Sequence, residues 1–195
     1  MATEMDERPA YRATVMKDVM ANLKKLPAAE RDASLRLMSP KTVEAIEASS
    51  RLGWIDADMV ADLTQGMQRG MGGTNLERFW HDFTVESSTG NFFGQMHAAG
   101  LRMFGVQPAG FMRNYALAFR LTTRSMGNVE TEIDNDARRG IVSFVDAPSR
   151  YLTEGFALSN RGSVRAMFTM MKMSAEAQHD LTSVTKGIVR YHLRW

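Results

Sequence analysis

After Gly127-Asn128 the spacing of apolar residues changes, and that change restricts the chain to one broad class of fold. Up to that point apolar residues recur every three or four positions, the period of helices buried on one face. Beyond it, VETEID sets Val129, Thr131 and Ile133 against Glu130, Glu132 and Asp134, the two-residue period of a half-buried strand. IVSFV (141–145) follows the turn-like Asn135–Gly140, so these segments are predicted to form a hairpin. A helix is predicted from Pro148 to about Met173, with Val164, Phe168 and Met171 near one face. EAQHDLTSV, a Thr185-Lys186-Gly187 turn and IVRYHLRW then give a second pair, with Val189, Tyr191, Leu193 and Trp195 on its core side. Consecutive hairpins favour an antiparallel sheet. The fold class read from this order is α+β: a helical N-terminal half, then a four-stranded antiparallel sheet (ββαββ) covered by helices.

The N-terminal half supplies the helices. Val15, Val19, Leu23 and Leu26 predict one from Tyr11 to Leu26, ended by Pro27, and AAERDASLRLM a short second. Ser39-Pro40 opens a third, KTVEAIEASS. Asp56 is the expected N-cap of a fourth, with Met59, Leu63 and Met67 as its stripe. After Gly70-Met71-Gly72-Gly73, Thr74 and Glu77 have capping-box spacing and open a helix with Leu76, Phe79, Trp80 and Phe83 inside. NFFGQMHAAGLRMF places Met96, His97, Gly100 and Phe104 on one side of a further helix. FMRNYALAFRLTTR follows, with Phe111, Tyr115, Ala118 and Leu121 at helical spacing. A single domain over 1–195 is expected, with 1–73 a helical extension and 74–195 the α+β core.

The absence of cysteine excludes disulfides, thiolate metal sites and cysteine nucleophiles. No apolar run is long enough for a membrane span, and a cytoplasmic protein is expected. His81, His97, His179 and His192 show no metalloprotease-like spacing, so no metal site is expected. GMGG lacks the lysine and serine of a phosphate loop, and neither GxGxxG nor GxSxG occurs. No enzyme is expected.

The net charge of +2 hides alternating blocks: 87–128 holds four arginines and no acid, and 129–154 six acids against three basic residues. On one continuous helix Arg113, Arg120 and Arg124 would fall within about 40° of one another. Arginine forks suit carboxylate or phosphate, so this stripe is a candidate site for an anionic ligand or an acidic protein partner. The plainer reading pairs it with the acidic hairpin Glu130, Glu132, Asp134 and Asp136, within the chain or across a dimer. Nucleic acid is the alternative partner, less favoured because Phe111 and Tyr115 belong to the buried stripe and cannot stack on bases. The 16 methionines point to core filling and to a Met- and Phe-lined cavity for an apolar ligand, with Met96, His97 and Phe104 as candidate residues. Surplus apolar surface on the N-terminal helices suggests a homodimer.

The helical front, the hairpin VETEID…IVSFV, the helix and the closing Tyr-x-Leu-x-Trp resemble the superfold of 4-vinyl reductase-type domains, haem–nitric-oxide-binding domains and vesicle-tethering transport-particle subunits. RRGIVSFVDAP and GIVRYHLRW also resemble an uncharacterised paralogous family from myxobacteria. The resemblance covers roughly 75–195 and implies a non-enzymatic regulatory, sensor or scaffold domain that binds a small ligand or a partner. Haem-binding relatives hold the propionates with Tyr-x-Ser-x-Arg, and no tyrosine here starts that motif. His97 lies on an apolar helical face, where a lone histidine reads as a packed core residue. No cofactor is therefore expected, haem included.

Overall fold

The computed structural model describes residues 8–88 and 107–195. The predicted helix carrying Met96, His97 and Phe104 lies outside them.

The C-terminal half has the architecture read from its alternation. Strands β4 (Asn128–Asp134), β5 (Arg139–Val145), β6 (Glu176–Asp180) and β7 (Val189–Arg194) form one antiparallel sheet in the order β4-β5-β7-β6. The hairpin pairs Asp134 with Arg139 and Asn128 with Val145. One sheet face buries Val142, Phe144, Val189, Tyr191 and Leu193. Helices α6 (Pro108–Thr122) and α7 (Glu154–Met170) cover that face. Phe144 is the hub: Phe119, Phe156 and Tyr191 meet it edge-on at 5.0, 5.3 and 5.6 Å between centroids.

The N-terminal half folds as α1 (Ala13–Leu23), α2 (Ala28–Arg36), α3 (Pro40–Ala48), α4 (Ala57–Met71) and α5 (Gly73–Ser87). Asp56 caps α4 by accepting from the Asp58 amide at 2.8 Å. The capping box does not form. Helix α5 starts at Gly73, behind Gly72 at φ 81°, so Thr74 already lies inside it, and Glu77 is an ion-pair centre instead.

A small sheet unforeseen from the sequence, β2-β1-β3, joins β1 (Ala10–Arg12), β2 (Trp54–Asp56) and β3 (Thr123–Arg124). It ties the start of the described chain to the end of α6. Strands of two or three residues are too short to show a period.

There are two buried clusters. One lies between the four-stranded sheet, α6 and α7. The other joins α1, α3 and α4 to Leu76, Phe79 and Phe83 of α5 and Leu158 of α7. The second therefore draws on both sides of residue 73. On that ground we propose that the chain unfolds as one cooperative unit. Calorimetry should show a single transition, and two separated transitions would instead mark an independently folding N-terminal extension.

The N-terminal helices spend their apolar faces on this second core. Among the described residues the exposed large hydrophobics are Leu37, Leu52 and Leu121, so the surplus apolar surface expected to drive a dimer is absent there. No described helix is long and apolar enough to cross a membrane.

Candidate functional site

A cavity of about 160 Å³ lies between the two cores. Tyr11, Met16 and Val60 wall it on one side, and Trp80 and Phe83 of α5 on another. Tyr115 and Phe119 of α6 and Phe156, Asn160 and Ser163 of α7 complete it. Phenylalanine lines it as expected, but among the described residues methionine contributes only Met16. Met67, Met112, Met126 and Met167 are core residues.

Its polar groups are mostly committed to one another. The Tyr115 hydroxyl donates to Asn160 Oδ1 at 2.8 Å, and Asn160 Nδ2 donates to the Phe156 carbonyl at 2.9 Å. Thr84 donates to the Trp80 carbonyl at 2.7 Å, and Ser159 to that of Gly155 at 2.7 Å. Ser163 Oγ sits 3.1 Å from Thr84 Oγ1 and 3.2 Å from the Ser159 carbonyl. These hydroxyl protons are taken up by helix carbonyls, leaving the oxygens as weak acceptors. Trp80 is the exception: its ring lines the cavity, and its buried Nε1–H has no acceptor among the described residues. A buried donor without a partner is costly, and a ligand oxygen at this point would relieve it. Burial pushes the Tyr11 and Tyr115 phenols well up, each helped by a neighbouring tyrosine, so both stay neutral. The described lining of the cavity is neutral and mostly apolar.

A larger, open groove of about 920 Å³ runs over the outer face of the four-stranded sheet. Asp134, Arg139, Arg194 and Glu176 form one cross-strand row there, acids at both edges and arginines between. This is a solvated charged surface, unlike the apolar cavity with one unmet polar group that suits a small ligand.

The arginine stripe is broken. Arg113 and Arg120 sit exposed on α6, but the helix ends at Thr122, and Arg124 belongs to β3. Pairing of β3 with β1 carries Arg124 across Ala10 onto the Trp54 ring, 5.1 Å from its centroid, and Arg12 stacks on the same ring at 4.0 Å. None of the three arginines bonds to the acidic hairpin among the described residues. Phe111, Tyr115 and Phe119 are buried, so no described aromatic of α6 stands beside Arg113 and Arg120 to stack on bases. Of the cavity residues, the sequence places Trp80 only in the core and marks none of Thr84, Asn160 and Ser163. The signal was there: Ser159 and Ser163 place hydroxyls four apart in a helix face that also holds Phe156.

No protein-family model matches the chain, and no curated protein is similar to it in sequence. Solved structures do match, over 94% of the chain. One is a mutant of an H-NOX protein from K. algicida in its Fe(II) unliganded form, with 9% identity, 95% of that chain covered and a TM-score of 0.61. The chain has the fold of the H-NOX domains. A second match, from work on modulating haem redox potential through porphyrin distortion, has 13% identity, 99% coverage of that chain and a TM-score of 0.61. A third, an oxygen-binding H-NOX domain related to soluble guanylate cyclases, has 14% identity, 93% coverage and a TM-score of 0.58. Of the groups the sequence resembles, the haem–nitric-oxide-binding one is thus supported.

These matches overturn the expectation that haem has no place here, which rested on a missing motif and a lone histidine: structures sharing the H-NOX fold are haem proteins. The described lining does not by itself fit the group. It holds no imidazole for iron and no arginine or lysine for propionates, and its volume is below the 300 Å³ or so of ordinary cofactor pockets. The remaining axial candidate, His97, lies outside the described residues.

Proposed function

We propose that this chain is a non-catalytic, ligand-binding sensor domain whose ligand enters the cavity between the two cores. The observation that carries this reading is the orphaned Trp80 Nε1–H in an otherwise apolar cavity. It selects a small apolar molecule bearing one acceptor oxygen. Because the hydroxyls are spent on helix carbonyls and the Tyr11 and Tyr115 phenols are held neutral, no nucleophile–base pair is set up among the described residues of the cavity. A second reading, haem held through His97, is favoured by the fold shared with haem proteins.

One set of titrations tests both. Acetophenone should perturb the Trp80 indole resonance and bind more tightly than α-methylstyrene, which has the same shape without the oxygen. Trp80→Phe should weaken acetophenone about tenfold through loss of one buried hydrogen bond. The same change should raise the melting temperature of the free protein, because the unmet donor is gone. Failure of acetophenone to bind, or equal binding of acetophenone to wild type and Trp80→Phe, counts against the cavity reading. In the haemin arm, a Soret band that His97→Ala abolishes supports haem ligation, and free-haemin absorbance with both proteins counts against it.

A further inference from the structure

Arg113 and Arg120 lie seven residues apart on the exposed face of α6, flanked by half-buried Leu117 and by Leu121 at 48% exposure. No carboxylate lies within ion-pair distance of either among the described residues. Helix α6 packs against β4, an edge strand of the four-stranded sheet. That strand exposes Glu130 and Glu132, and among the described residues these also have no cation partner. Two free cations and two free anions therefore stand on adjoining elements of one edge, yet do not meet. The helix lies on the inner side of the sheet, whereas Glu130 and Glu132 register with Ser143 and Ile141 on the outer face.

We infer that this edge docks a second copy of the chain, Arg113 and Arg120 of each protomer facing Glu130 and Glu132 of the other. A two-fold axis makes both sets of contacts at once, because a self-complementary patch closes on itself. The charges also reject the other simple dimer. Antiparallel pairing of β4 with its own copy sets Glu130, Glu132 and Asp134 against one another, and like charges directly opposite repel. The arginine–glutamate arrangement avoids that repulsion.

Sedimentation of the full chain at tens of micromolar and low ionic strength tests this. The wild type should be a dimer that salt weakens. Arg113→Glu/Arg120→Glu and Glu130→Arg/Glu132→Arg should each be monomeric, the dissociation constant rising about a hundredfold or more as like charges meet. Circular dichroism checks that these surface variants stay folded. Mixing the two variants should restore a dimer, since one then presents only acids and the other only arginines. A monomeric wild type, a dimer surviving in either variant, or a mixture that stays monomeric would overturn the inference.

Discussion

Gly162→Ala should lower stability by about 3 kcal/mol, less up to about 1 kcal/mol regained from helix propensity. Gly162 lies where α7 crosses α5, the largest helix–helix contact of the described chain. A Cβ there would stand 2.2 Å from the Glu77 carbonyl oxygen and 3.0 Å from the His81 amide nitrogen. Both are helix backbone, so no rotamer change relieves the clash and the helices must separate. Separation would also pull apart Thr84 and Ser163, neighbours across that contact and part of the cavity wall. Gly155→Ala, in the same helix, is the control. Its Cβ would meet Gln68 Oε1, the end of a flexible side chain, at 3.1 Å. That variant should melt within about a degree or two of wild type, whereas Gly162→Ala should melt roughly 5–10 °C lower. Equal melting temperatures would show that the contact is looser than these distances imply.

The contrast between these glycines shows where sequence reasoning stops. Strands β4 and β7 were legible because alternation reports which face is buried, and Val189, Tyr191 and Leu193 are buried where it placed them; β5 was legible as the apolar run after a turn. Gly162 and Gly155 read alike in the chain. Only the path of α5 distinguishes them, and that path is set by long-range packing. Arg124 failed for a related reason. Helical spacing places it with Arg113 and Arg120, but pairing of β3 with β1 overrides the local period and stacks it on Trp54. Thr74 and Glu77 carry a capping signature, yet Gly72 turns the chain one residue before Gly73 and gives Glu77 to arginines 84 and 88 residues away. The cavity was the least visible part. Trp80 reads as core at helical spacing, and its unmet N–H becomes apparent only once α6 and α7 close over it.

Glu77→Ala is the other large effect expected, a loss of about 3 kcal/mol. The carboxylate is nearly buried and bridges two cations of α7: Oε2 takes Arg161 Nη2, and Oε1 takes Arg165 Nη1 at 2.7 Å. Arg161 also contacts His179 Nδ1 at 3.1 Å, and His179 Nε2 lies 3.2 Å from Glu154 Oε1, so the network runs from α5 through α7 to β6. Among the described residues Arg161 Nε is already buried without a partner, and removing Glu77 would leave that guanidinium with the His179 contact alone. Burial works to raise the Glu77 carboxyl, but the hydrogen bonds from Arg161 and Arg165 outweigh it and hold it below the ordinary glutamate range. A carboxyl depressed in the folded state adds stability that is complete above its unfolded value, about 4.3. That stability drains away as pH falls through the lower folded value. Glu77→Gln keeps the shape and cannot titrate. The gap in melting temperature between wild type and Glu77→Gln should therefore be widest near neutrality and should close between about pH 5 and pH 3. A gap that stays constant on acidification would mean that the amide loses packing or hydrogen bonds rather than charge. A network of this kind binds the helix that walls the cavity to the edge strand β6, which gives cavity and sheet a common mechanical link through Arg161.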